Sequence, residues 1–272
     1  METWRKQARH YSTRPIRYAD PWGLFKWNES DDHIFALRRE VETAGGSISW
    51  NAMTSTATVD IYGVTVSFNR YSDGVQIVDG RMQIRADAFY STVVSAAEEM
   101  VFLGEHGAFV PTSWNPFGHA SVIIFIPPHH SLYNAPIFSR EGGTRWGNVR
   151  YATIGGTSDG TAPFLSGTTS SEKDRNLAIK TSMQLIHSGS GMALSLFAAN
   201  THFNAHNNRG FLYHVAGGRA RISIVPGHLI SVQGYNSNSY ARSLLNAVGL
   251  SPTPVGSLPG WNTRIGTSYF GQ

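Results

Sequence analysis

Gly118 to Ile126 reads GHASVIIFI, and its last six residues, SVIIFI, form a run of strand length in which only Ser121 is polar. A strand with one wet face alternates apolar and polar residues, whereas one covered on both faces reads as a continuous apolar run. The run therefore predicts a central strand with packing on each side. The fold has a sheet in its middle, and the rest of the chain must supply two coverings.

Around this strand the chain changes texture near residue 101, from regular periodicity to short strands and long loops rich in Gly, Ser, Thr and Asn. NVRYATIGG (148–156) and ARISIVPGHLISVQG (220–234) read as further strands, RNLAIKTSMQLIHSG (175–189) as a strand or short helix, and YARSLLNAVGL (240–250) as the last helix. The tail GSLPGWNTRIGTSYFGQ (256–272) reads as an aromatic-anchored wrap. Upstream, DDHIFALRREVETAGG (31–46) has acids at its start and a Gly pair at its end, the marks of a short helix. TATVDIYGVTVSFN (56–69) and GVQIVDGRMQIRA (74–86) alternate and are joined by Asp-Gly-type turns, so hairpins are expected. ADAFYSTVVSAAEEMVFLG (86–104) returns to helical spacing. The expected class is α+β, with an extension at 1–24, a small α+β region at 25–100 and a second domain at 101–272.

The 272 residues carry 22 Lys and Arg against 18 Asp and Glu, a mild net charge of +4, and the basic residues are scattered. Nucleic-acid binding gains no support from that pattern. No apolar run approaches the roughly 20 residues of a transmembrane helix, and the N-terminus lacks the apolar segment of a signal peptide. With no cysteine, disulfides, thiolate metal sites and a cysteine nucleophile are excluded.

GYNSNSYARSLLNAVGL (234–250) holds the most informative serines. On a helical wheel at about 100° per residue, Tyr240, Ala241, Leu244 and Val248 fall within about 60° of Ser237, while Ser239 lies about 200° away. Ser237 thus points along the apolar stripe, and Ser239 faces solvent or a loop. An inward hydroxyl at a helix start lies beside backbone N–H groups able to stabilise an oxyanion. It becomes a nucleophile only with a base. His119, at the mouth of the central strand, is the candidate: alternation puts it on the face of Ser121, Ile123 and Phe125, and it meets Ser237 if that face packs the last helix. The bland alternatives are an N-capping role for Ser237 and a core-edge role for His119.

Two resemblances add to this. Pro15 followed by Asp20-Pro21-Trp22-Gly23-Leu24 resembles the end of an Rhs-type core, the shell of polymorphic toxins, at whose border a variable toxin domain begins. The resemblance implies a toxin payload from about Phe25, delivered without a signal peptide, cytoplasmic in its producer and acting in interbacterial competition, with a cognate immunity protein as partner. Gly118-His119 on a strand, then Asn236-Ser237-Asn238-Ser239-Tyr240 opening a helix, resembles the circularly permuted papain-like hydrolases and acyltransferases, the lecithin:retinol acyltransferase-like group. Asn236, Ser237 and Tyr240 match the family's Asn-Cys-x-x-aromatic start, and His119 matches its base. Ser237 stands where that family has Cys, so a serine enzyme and a Cys-to-Ser form of a cysteine enzyme share this reading. No second His follows on the next strand, which leaves Tyr151 or Thr153 to orient the imidazole.

Other motifs carry less. His202 and His206 in HFNAH would share a helix face, but no Glu stands beside them, and the expectation is no metal and no cofactor. His129 and His130 follow a Pro pair and read as a solvated loop tip. FLSGTTSS (164–171) is similar to the Leu-Ser-Gly-Cys run of cytotoxic-necrotising-factor-like deamidases, with Thr168 at the Cys position. The functional expectation is an effector that hydrolyses or transfers an acyl group at an amide or ester, using Ser237 and His119. The alternatives are a glycan- or protein-binding module without chemistry, and a toxin of other chemistry such as a deamidase.

Overall fold

The computed structural model describes residues 34–107, 118–138, 148–158, 164–169, 182–207, 210–214, 218–225, 228–254 and 256–272. The extension at 1–24, with its Asp-Pro-Trp-Gly-Leu motif, lies outside the described residues. Among those described, the chain is α+β, with four α-helices and four sheets whose strand pairings are antiparallel except for one short parallel pairing within a three-stranded sheet.

The first region opens with β1 (Ile34–Ala36) running directly into α1 (Leu37–Thr43), so the expected helix is shorter than its sequence window. The alternating segments form β2 (Ser47–Asn51), β3 (Thr56–Ile61) and β4 (Val64–Asn69) as one antiparallel sheet, and β5 (Val75–Val78) and β6 (Arg81–Arg85) pair with β1 as another. Then α2 (Ala86–Ala97) buries Phe89, Val93 and Val94. It stops where Glu98 takes a positive φ of 63°, and the apolar residues that follow continue as a strand, not as more helix.

That strand, β7 (Met100–Gly107), enters the central sheet with β8 (Gly118–Ile126), β9 (Arg150–Ser158), β10 (Leu165–Thr169) and β11 (Ser182–Ser188). Their order is β10-β9-β8-β7-β11, all antiparallel, so the SVIIFI strand occupies the centre. Both of its faces are covered. Ile123 and Phe125, with Phe102 and Tyr151, pack against Phe89 and the rest of the first region, while Val122, Ile124 and Ile126 pack against the helices of the second. Each fully buried side chain of this size contributes about 1.5–3 kcal/mol, so the sheet is the shared wall of two cores.

The second covering consists of α3 (Met192–His206) and α4 (Ser237–Ala247). Between them β12 (Leu212–Tyr213), β13 (Gly218–Val225) and β14 (His228–Tyr235) form a small sheet that leads into α4. The tail wraps α4 as expected: Leu258, Trp261, Ile265 and Phe270 are buried in the same core as Tyr240, Leu244 and Leu245. Helix α4 is therefore enclosed between sheet and tail. No described helix is long and apolar enough to cross a membrane.

Candidate active site

Helix α4 begins with a capping box. Asn236 is the N-cap, its Oδ1 accepting from Ser239 N–H at 3.0 Å, while Asn236 N–H donates to Ser239 Oγ. Capping is thus assigned to residues 236 and 239, which leaves the Ser237 hydroxyl outside it. Ser237 is 3 % exposed and its Oγ lies 2.6 Å from His119 Nδ1. A serine oxygen and an imidazole nitrogen at this separation share a hydrogen bond, which is the geometry a general base requires.

The route by which they meet differs from the expected one. The strand face carrying Ile123 and Phe125 packs the first region, and α4 lies on the opposite face, against Ala120, Val122 and Ile124. Contact arises at the strand end instead. β8 and β9 pair from Val122–Ile154 to Ile126–Arg150, and beyond that point β9 continues only with β10. Where the ladder has stopped, Ala120 N–H donates to Asn238 Oδ1 at 2.7 Å. The first turn of α4 therefore occupies the fork between the two strands, one residue from His119.

Asn238 is a residue that the sequence reading passed over. Its Oδ1 holds the histidine strand and its Nδ2 donates to Pro259 O at 2.9 Å, so one amide joins strand, helix and tail. The signal was the second Asn of Asn-Ser-Asn-Ser, two residues after the cap. Ser239 also departs from expectation: it is fully buried, because the tail covers it and Gly260 O accepts from its Oγ at 2.8 Å. Gly260 itself has φ +78°, and a Cβ there would stand 2.7 Å from Asn236 Oδ1, so the wrap needs glycine at that point.

Tyr240, on the same helix start, is fully buried and its hydroxyl donates to Asn200 Oδ1 at 2.6 Å. Burial holds its phenol well above the usual range. The ring fits against the sheet because residue 156 is glycine; a Cβ there would come within 2.6 Å of Tyr240 Cβ.

Tyr151 and Thr153 are not brought to His119. They pair with Phe125 and Ile123, six and four residues along β8, or about 20 and 13 Å at the usual rise. Tyr151 packs against Phe125 inside the first core with the rings tilted at 41°, and the buried Thr153 Oγ1 has no hydrogen-bond partner among the described residues. Their distance along the strand, not their direction on the sheet, keeps them from an orienting role.

His202 and His206 do share a face of α3, with rings stacked 4.0 Å apart. Each Nδ1 lies against a carbonyl, that of Tyr269 and that of His202 itself, and no described cluster of three His, Asp or Glu accompanies them. Thr168 lies on edge strand β10. His129 is exposed, but His130 is half-buried: Leu132 N–H donates to its Nδ1, leaving Nε2–H to donate to Glu99 Oε1 at 2.8 Å. Glu99 is 1 % exposed and also accepts from Gly191 N–H and Ala193 N–H, capping α3 from 92 residues away. The loop-tip expectation fails for His130 because this carboxylate reaches it.

No protein-family model, curated protein or solved structure matches the chain.

Proposed function

We propose that the chain is an effector domain that hydrolyses or transfers an acyl group at an amide or ester bond, with Ser237 as nucleophile and His119 as base. The observation that carries this reading is the 2.6 Å contact between Ser237 Oγ and His119 Nδ1 at the start of a buried helix. In the reaction the Ser237 proton passes to Nδ1 as Oγ attacks the carbonyl carbon. The oxyanion lies by the N–H groups that open α4. Collapse expels the amine or alkoxide, which takes the proton from the imidazolium, and water or an acyl acceptor then releases the ester on Ser237.

The Gly118-His119 strand start and the Asn236-Ser237-x-x-Tyr240 helix start, which departs from the family in having Ser for Cys, together with the Asp-Pro-Trp-Gly-Leu border favour a permuted papain-like toxin payload, whose producer carries an immunity protein. Expression in a bacterial host tests this. Ser237→Ala and His119→Ala should fold, by circular dichroism, and lose toxicity and labelling by a serine-directed acyl probe by about 10²–10⁴-fold; Ser237→Cys should retain reactivity. Undiminished toxicity in both alanine variants would discard the dyad and favour a binding module.

A further inference from the structure

On the outer flank of α4 the tail leaves a groove of about 740 Å³, bounded by the C-terminal half of the helix, by Ser251–Pro254 and by Trp261–Thr267. Such a volume suits a small molecule. Arg242 and Arg264 both line it, with hydroxyls from Ser251, Thr253 and Thr267 and the amide of Asn246, and no Asp or Glu is among its lining residues. Neither arginine forms an ion pair with a described carboxylate.

Arg242 is held by neutral groups alone. Its Nη1 donates to Trp261 O at 3.0 Å and to Asn262 Oδ1 at 2.6 Å, and the guanidinium stands 5.8 Å from the Trp261 ring centroid. These contacts fix the planar fork without neutralising it. Burial, and after it the charge of Arg264, holds the Arg242 guanidinium below its ordinary value. Two like charges line one groove, and no described carboxylate pairs with either of them.

We propose that this groove binds a phosphate-bearing ligand, with Arg242 and Arg264 on the phosphate oxygens and Thr253 and Thr267 completing the donor set, the Ser251 hydroxyl being engaged by Asn246 Oδ1 at 3.0 Å. A phosphomonoester carries close to two negative charges and three acceptor oxygens, which matches two guanidinium forks better than a single carboxylate does. The volume beyond the phosphate accommodates the group esterified to it. The site is separate from the Ser237–His119 chemistry and stands or falls without it.

Soluble and lipid phosphates share this chemistry, so both are tested on the full chain. Calorimetric titration with glycerol 3-phosphate, at ionic strength held with sodium chloride, should give binding that weakens at least about tenfold in Arg264→Gln. Arg264 is exposed, so this variant does not disturb the core; Arg242→Gln, with folding checked by circular dichroism, should weaken binding further. Co-sedimentation with phosphatidic acid vesicles in place of glycerol 3-phosphate binding, again lost in Arg264→Gln, would identify a lipid headgroup as the source. Absence of both, or affinities unchanged by Arg264→Gln, overturns the proposal.

Discussion

Ser237 is buried at a helix start, yet its hydroxyl takes no part in capping the helix that it opens. Asn236 and Ser239 perform that task, and this division frees one oxygen to face an imidazole. Thr153 shows the opposite condition, a buried hydroxyl with no partner among the described residues. Thr153→Val is nearly isosteric and removes an unsatisfied group, so urea denaturation should find the variant equal to or about 1 kcal/mol above the parent in stability. Toxicity and probe labelling should be unaltered; a loss of either at full stability would return Thr153 to the site. At Tyr240 the raised phenol gives a sign for pH. The unfolded chain ionises this tyrosine near pH 10 while the native state keeps its proton, so above that value the unfolded state binds fewer protons. Native stability then falls by up to about 1.4 kcal/mol per pH unit from this group. Tyr240→Phe forfeits the Asn200 bond, about 1 kcal/mol at neutral pH. It should nevertheless show a shallower loss between about pH 9 and pH 11 in chemical denaturation.

Among the elements, α3 and α4 begin in contrasting ways. Helix α4 carries its own start signal, and its inward stripe of Tyr240, Ala241 and Leu244 was legible on a wheel. The N-cap of α3 is Gly191, with no side-chain cap, and the acceptor for its first N–H groups is Glu99, from the end of α2. A helix whose cap lies in another element carries no local start signal, and its sequence read only as a pair of histidines that would share a helix face. Glu99→Leu should remove those acceptors and strand the His130 Nε2–H. A loss of about 3 kcal/mol is expected by thermal or urea unfolding, and a value below about 1 kcal/mol would show the cap to be dispensable. The strand–helix junction at the fork behaves similarly. Alternation put Ile123 and Phe125 on one face correctly, but which core that face belongs to depends on where β9 leaves β8, and pairing register is a property of two strands together. Asn238→Leu leaves the Ala120 N–H unsatisfied and should cost about 1–3 kcal/mol. If Asn238 positions the histidine, probe labelling of the folded variant should also drop and its pH profile move; unaltered labelling would make the residue structural only.

For the molecule as a whole, the SVIIFI run announced a doubly covered strand, and the two cores on either side of the central sheet are what covers it. The sequence boundary near residue 100 coincides with the entry of β7, a strand whose two faces belong to different cores. A composition change along the chain therefore marks a change of layer across a common sheet. The dyad has a temporal consequence of the same origin. Its two members are 118 residues apart, and the fork that unites them is closed by a helix that the tail then straps down. Contacts of such long sequence separation form late, because the loop between them must first be closed. On the proposed reading, a chain still being synthesised has Ser237 and His119 but no dyad. The reactivity proposed for Ser237 would then be acquired only on arrival at the folded state, with the fold itself as the safety catch.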